Sequence, residues 1–460
     1  MTPNCPYSRF DVNASNHTNA PSVQRTRRAV RYAAPAALPA SPTCPLASIA
    51  FGPAGSFRAG GRCDRLGRTD VRTRPEPSLT YRLLHIADLH LDRAFAAAGC
   101  HAELARRRRT GLRDALRLAG ETAQAERCSA VTIAGDLYEH ERSGVDTARF
   151  LAATFAAWRP LRVFIAPGNH DALMPGSLYR RTDWPDNVHV FEEPALAPVE
   201  LEDGIVLWGL AHREPSWLGN PLDCAPAPSG DVHLALFHGS ELGSRPEGKS
   251  IHGPFRAEQL RERGFRSGLC GHYHRRRVDD ATGLIYPGTP EPLTFDESGA
   301  RGPVLVDVGG DGAIQVTPLA LNRWNVVTAS CDVSGCTSTT DVVDVTTRTC
   351  IAAASIGDPE RTLIRLDVTG ALDCSVGLDT ITVEAESRDR SGAALVKVRD
   401  LTTHAADLVA LADERSARGA FVRAATAALQ AAADDAERAL LDDALRYGLE
   451  ALAGAEVGLR

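Results

Sequence analysis

The sequence predicts a layered α/β sandwich over residues 79–322 and a smaller α+β unit over residues 323–460, on three observations. Short apolar runs bounded by Gly, Pro and Asp recur from Arg82 to Val308, each of strand length. Helical stretches separate the early runs and thin out later, so crossovers mix with more direct strand connections. The chain has 460 residues, more than the roughly 250–300 at which a single core stops growing, so a second folded unit is expected.

RLLHIAD (82–88) opens the series. ELARRRRTGLRDALRLAGETAQAERC (103–128) then places Leu104, Leu112, Leu116 and Ala119 at helical spacing. CSAVTIAGD (128–136) is the next strand, DTARFLAATFAAW (146–158) the next helix and LRVFIAPGNH (161–170) the third strand. IVLWGLAH (205–212), DVHLALFHG (231–239), SGLCGHYH (267–274), GLIYPGT (283–289) and GPVLVDV (302–308) follow as buried strands. In the second unit WNVVTASCDV (324–333), RTLIRLDVTG (361–370), TITVEAES (380–387) and AALVKVRD (393–400) are expected strands. Two alanine-rich helices are expected over 405–427 and 434–452.

Composition narrows the function. Hydrophobic residues make up 43% and charged residues 24%, which excludes wholesale disorder, collagen and coiled coil. The most apolar N-terminal run is broken by proline and falls short of the ~20 residues a spanning helix needs, so no membrane partner is expected. Eleven scattered cysteines, without a CxxC pair, point to reduced thiols and a cytoplasmic location. A net charge of -7 argues against coating nucleic acid by bulk attraction, so any such contact must be local. Residues 1–78 carry eleven arginines against four acids and no apolar periodicity, and are expected to be a disordered or mis-started tail.

The chemistry lies where the apolar runs end. Asp88 and His90 follow the first, Asp136 the second, and Asn169 and His170 the third; His238 and the pair His272 and His274 close two later runs. Ligand types gathered at one sheet edge form a site. Side chains two apart on an extended chain share a side, so Asp88 with His90, and His272 with His274, would each address one centre. Carboxylate, imidazole and amide donors together suit Mn or Fe better than Mg or Ca. His170 aside, seven ligands are too many for one ion. Two ions sharing a carboxylate would use them all, activate a bridging water and clamp the oxygens of an in-line phosphoryl displacement.

D-x-H, GD, GNHD, a lone His and GH-x-H, in that order, resemble the calcineurin-like metallophosphoesterase superfamily, whose fold is an αββα sandwich. The resemblance implies that Asp88, His90, Asp136 and His274 hold one metal and Asp136, Asn169, His238 and His272 the other. It implies that His170 faces the substrate phosphate and that Asp171 orients it. YPGTPEPLTFDE (286–297) resembles the SbcD-type DNA-repair exonucleases, and IADLHLDRAF the YhaO-like subgroup. The implied activity is a DNA exonuclease or endonuclease, with residues 323–460 as a capping domain and an SbcC-like ATPase acting in trans; a homodimer stays open. The alternative is a phosphatase or phosphodiesterase acting on a small molecule or phosphoprotein. Several relatives carry histidine where Glu139 stands, which leaves strand handling open.

The remaining polar residues divide. His85 is expected to pack in the core and Cys270 to be a small core residue. Glu139 and His140 are candidates for substrate contact, and Arg275 and Arg276 for a nucleic-acid backbone. Arg106 to Arg109 are expected on a solvated helix surface, and His252 in a surface loop. The chain is read as having no ATP-binding loop of its own.

Overall fold

The computed structural model describes residues 79–96, 99–223, 232–373, 376, 378–405 and 408–452; the expected N-terminal tail lies outside them. In chain order come β1 (Leu79–Ile86), α1 (Ala102–Ala125), β2 (Ala130–Ile133), α2 (Val145–Ala157), β3 (Arg162–Ile165), α3 (Leu178–Arg181) and β4 (Val188–Val190). Then follow β5 (Ala197–Glu202), β6 (Ile205–Gly209), β7 (Val232–His238), α4 (Glu258–Glu262), β8 (Ser267–Gly271), β9 (Arg277–Asp279), β10 (Leu284–Tyr286), β11 (Val304–Gly309) and β12 (Ile314–Pro318). They build two six-stranded sheets, β12-β11-β1-β2-β3-β4 and β5-β6-β7-β8-β10-β9. β1 to β4 run parallel, as do β6, β7, β8 and β10, while β11, β12, β5 and β9 are antiparallel to their neighbours.

Three apolar layers hold this sandwich. Leu84, Ile86, Val131 and Ile133 face α1 and α2, burying the predicted stripe of Leu112, Leu116 and Ala119. Leu83, Phe164, Leu207, Leu234, Leu269 and Val306 fill the space between the sheets. Phe237, Cys270 and Tyr286 pack under Leu260 of α4 on the outer face of the second sheet. The layers are thus helix, sheet, sheet, helix, as the sequence predicts.

Between the sheets sits a polar pair, His85 and Thr132. His85 is fully buried, with Nδ1 3.0 Å from the Thr132 hydroxyl and Nε2 3.4 Å from the Cys270 carbonyl. Burial pushes its pKa down to about 4 from the usual 6.5, against the opposing pull of those hydrogen bonds. The unfolded chain therefore binds a proton where the folded chain does not, and stability falls as pH drops from 6.5 toward 4. Between pH 7 and 5 the loss from this group is about 2 kcal/mol. His85→Gln should flatten the pH dependence of urea unfolding by that amount; parallel pH profiles for parent and variant would contradict the assignment.

The rest of the chain forms β13 (Asn325–Asp332), α5 (Thr339–Ala354), β14 (Thr362–Asp373), α6 (Thr380–Ser391), β15 (Leu395–Ala405), α7 (Leu408–Asp413), α8 (Ala417–Ala431) and α9 (Asp435–Leu452). Its sheet, β13-β14-β15, is parallel throughout. Parallel neighbours need a crossover, and this accounts for two departures from the sequence reading. TITVEAES, expected as a strand, is α6: the Asp379 carboxylate accepts from the Ile381 and Thr382 N–H groups at 3.1 and 3.3 Å, and Gly392 ends the helix at φ 70°. The unpredicted α5 is capped by Ser338, whose hydroxyl accepts from the Asp341 N–H at 3.2 Å, and buries Val342, Thr346, Cys350 and Ala353 at helical spacing. The helix expected over 405–427 divides, because β15 runs to Ala405 and Ser416 caps a new start at α8.

The predicted arginine surface also differs. Arg108 is buried, donates to the Pro292 carbonyl and lies 3.9 Å over the Phe95 ring, because its place on α1 faces the segment after β10. Among the described residues no helix is long and apolar enough to cross a membrane.

Candidate metal centre

β1, β2, β3, β7 and β8 all finish at the facing edges of the two sheets, and each delivers its polar residues there. The local reason differs from simple strand alternation. β1 stops at Ile86 and β8 at Gly271, so both pairs stand in turns. Asp88, His90 and Asp136 take φ of 55°, 50° and 51°, and His272 takes 109°. Such left-handed backbone costs about 1–3 kcal/mol per residue and persists where surrounding contacts hold it. Here the Asp88 carboxylate accepts from the His272 N–H at 3.1 Å, and Asp136 Oδ1 accepts from the His170 N–H at 2.8 Å. The glycines of GD and GNHD let these turns close: a Cβ on Gly168 would stand 2.5 Å from Asp136 Oδ1, and one on Gly135 2.6 Å from Gly168 Cα.

All seven predicted ligands come together. His238 Nε2 lies 3.0 Å from Asn169 Oδ1, 3.2 Å from His272 Nδ1 and 3.4 Å from Asp136 Oδ2. His90 Nε2 is 3.6 Å from the same Asp136 oxygen, and His274 Nε2 is 3.9 Å from Asp88 Oδ1. Two clusters thus meet at Asp136.

The far nitrogen of every imidazole is taken by an acceptor. His238 Nδ1 faces the Ala134 carbonyl at 2.9 Å, His272 Nε2 the Ser250 carbonyl at 3.1 Å, His274 Nδ1 Glu297 Oε1 at 2.8 Å and His90 Nδ1 Glu139 Oε1 at 3.0 Å. Each ring therefore donates outward and turns a lone pair to the centre. Burial holds His238 well below the usual range, His272 down to about 3 and His274 down to about 4, so these three are neutral. Two lone pairs face each other at 3.2 Å across His238 and His272, and His90 Nε2 is buried with no hydrogen-bond partner. Burial and the charge of Asp136 push Asp88 well above the usual carboxylate range. A cation relieves all of these at once, and the donor set fits divalent metal.

Residues 81–276 match the family model described as calcineurin-like phosphoesterase. They are a calcineurin-like phosphoesterase domain. The chain is 25% identical over 283 residues to the DNA double-strand break repair protein Mre11 of Methanopyrus kandleri, a span of 55% of this chain and 60% of that protein's length. Two solved structures are similar. One is TT1561 of Thermus thermophilus, 13% identical at a TM-score of 0.31, covering 52% of this chain and 98% of that one. The other is a dimetal phosphatase from Danio rerio, 16% identical at a TM-score of 0.34, covering 50% and 94%.

Around the centre of the phosphoesterase domain, several expectations change. Asp171 does not reach the His170 ring. Its carboxylate accepts from the Gly168, Asp136 and Leu137 N–H groups at 2.7, 3.0 and 2.8 Å and from the Tyr179 hydroxyl at 2.6 Å, so it ties the two ligand loops together. Glu139 is the partner of His170 instead, with Oε2 2.9 Å from Nδ1 while Oε1 holds His90. Burial lowers the His170 pKa, but the hydrogen bond it donates to the Glu139 carboxylate and the charge of Asp136 outweigh it and carry the group to about 9. His140 is half-buried beside this pair, and its N–H donates to the His170 carbonyl at 3.1 Å.

Three further residues around the centre escape motif reasoning. Glu297 fixes His274 from 23 positions away and also accepts from the Leu293 N–H at 2.7 Å, which gives the YPGTPEPLTFDE segment a structural role. Lys249, one of only two lysines, brings Nζ to 3.5 Å from His274 Nε2. His252, expected on the surface, is half-buried with its ring 5.4 Å edge-on from that of His272.

The ATP reading needs correcting too. Gly243–Ser250, GSRPEGKS, does have the spacing GxxxxGK[ST]. Its context is wrong for a phosphate loop: a 3-10 turn at Leu242–Ser244 opens it, and no helix begins until Glu258. Lys249 and the Ser250 carbonyl face the metal-site histidines.

Proposed function

We propose that this domain holds two divalent ions and hydrolyses phosphodiesters of DNA. Asp88, His90, Asp136 and His274 hold one ion; Asp136, Asn169, His238 and His272 hold the other. The observation that carries this reading is the ring of four imidazoles, three buried and His274 half-buried, each anchored outward and each turning a lone pair into the cluster around Asp88 and Asp136. When bound, the ions supply an activated water and neutralise charge on the phosphoryl oxygens. Mn or Fe suits this donor set better than Mg.

The chain's own residues do the rest. With Nδ1 on Glu139, His170 has Nε2 left to donate to a phosphoryl oxygen or to protonate the leaving-group oxygen. Glu139 couples that ring to His90, so substrate-facing and metal-holding groups share one anchor. Asp171 keeps the Asp136 and Gly168 loops in register.

DNA as substrate is supported by the similarity to Mre11. An SbcC-like ATPase acting in trans and a capping role for residues 323–460 belong to the same reading. The test is one chelated preparation reloaded with Mn or Mg and assayed on linear duplex DNA and on a chromogenic phosphodiester. Both substrates should be cleaved, faster with Mn. Cleavage of the chromogenic diester without any cleavage of DNA would favour the small-molecule alternative.

A further inference from the structure

Directly beside the metal centre, three arginines line one cavity of about 210 Å3, together with Thr289, Ser298 and Ala300. Arg275 follows the ligand His274 in sequence, is exposed, and makes no hydrogen bond or ion pair among the described residues. Arg276 donates from Nε to the Pro287 carbonyl at 3.3 Å and from Nη2 to the Gly302 and Leu319 carbonyls at 2.9 Å. Arg301 is buried and donates to the Glu297 and His274 carbonyls at 2.6 and 2.8 Å and to the Thr289 hydroxyl at 2.7 Å. Every acceptor of these two guanidinium groups is neutral. No carboxylate lines the cavity, and the Glu297 carboxylate is taken by His274 Nδ1, the Leu293 N–H and the Thr289 hydroxyl.

Arg301 is buried and Arg276 half-buried, and the only carboxylate charge acting on Arg301 is that of Glu297, so an anion received among the three guanidinium groups would offset the cost of holding them there. The carbonyls hold Arg276 and Arg301 in fixed orientations and leave Arg276 Nη1 and Arg301 Nη2 without a hydrogen bond among the described residues, so the donors are already arranged. Arginine forks match the oxygens of a phosphate group. The Arg301 bond to the His274 carbonyl fixes the cavity against the ligand loop itself.

We infer that this cavity is a phosphate-binding subsite that takes the backbone phosphate next to the one being cleaved. This rests on the phosphodiesterase reading for the identity of the phosphate, but not for the binding itself. A single small diester has no second phosphate to place there; a polynucleotide always has one.

The experiment has two arms on the full-length chain. Calorimetry of the metal-free protein with inorganic phosphate reads the subsite without any catalysis. The parent should bind one phosphate per chain, and both Arg275→Ala and Ser298→Asp should weaken it at least tenfold. Both positions are exposed, so folding is expected to survive, and thermal melts check this. In the second arm, with Mn restored, both variants should raise KM for a short oligonucleotide at least fivefold more than KM for a chromogenic diester. Absence of phosphate binding by the parent, or binding indifferent to both substitutions, overturns the subsite. Loss of phosphate binding with equal KM changes on the two substrates would assign the cavity to free phosphate and overturn its role on the strand. Failure of the phosphodiesterase reading would appear separately, as a parent that cleaves neither substrate yet still binds phosphate.

Discussion

Asp136→Ala is expected to empty both ion sites and to abolish phosphoester hydrolysis. Asp136 is the carboxylate at which the two ligand clusters meet, with Oδ2 3.4 Å from His238 Nε2 and 3.6 Å from His90 Nε2. Its other oxygen holds the His170 N–H at 2.8 Å, so the substitution also frees the loop that carries Asn169 and His170. Lowering of the rate by about 10³-fold or more corresponds to about 4 kcal/mol or more in barrier. Asp136→Asn separates the two effects, because the amide oxygen keeps the hydrogen bond to His170 while the bridging charge is gone. Metal analysis of both variants, with initial rates, checks the result. Either variant retaining two ions and a tenth of the parental rate would contradict the shared-ligand assignment.

The second large effect concerns His170 and the carboxylate that positions it. His170→Asn should lower turnover by about 10²–10⁴-fold, the range for one general acid or base, with both ions retained. Glu139→Gln should lower turnover by about 10–100-fold, the usual cost of losing an outer-shell partner of a ligand. Glutamine offers one acceptor where His90 and His170 require two, whereas Asp171, read from sequence as the orienting group, has its oxygens on backbone N–H groups and the Tyr179 hydroxyl. If His170→Asn emptied a site, or stayed within about threefold of the parent, about 0.6 kcal/mol, the role given to His170 would be wrong.

What the sequence made legible was what is local to the strand ends. Asp88, His90, Asp136, Asn169, His238, His272 and His274 each stand within four residues of a strand's last residue, so finding the strands placed the ligands together. The partners that orient them were harder to see. Asp171 neighbours His170 in the chain, yet its side chain turns back onto residues 136, 137 and 168, while Glu139 arrives from another loop. Glu297 lies 23 residues beyond the ring it holds, and no spacing rule connects them. TITVEAES failed for a different reason: its β-branched residues favour a strand in isolation, and the crossover between parallel β14 and β15 overrides them. Arg108 reads as surface charge and Arg276 as a nucleic-acid contact because nothing in their own segments signals the carbonyls of Pro292, Gly302 and Leu319 that receive them.

The two-ion site is tested most directly by counting ions and rates in one titration. The chelated protein is reloaded with Mn in steps, and bound metal per chain is measured alongside hydrolysis of a chromogenic phosphodiester. Expected are no activity without metal, two Mn bound at saturation, and a rate that reaches its plateau only as the second ion binds. Full hydrolysis by the metal-free protein, or saturation at one ion with full rate, would contradict it.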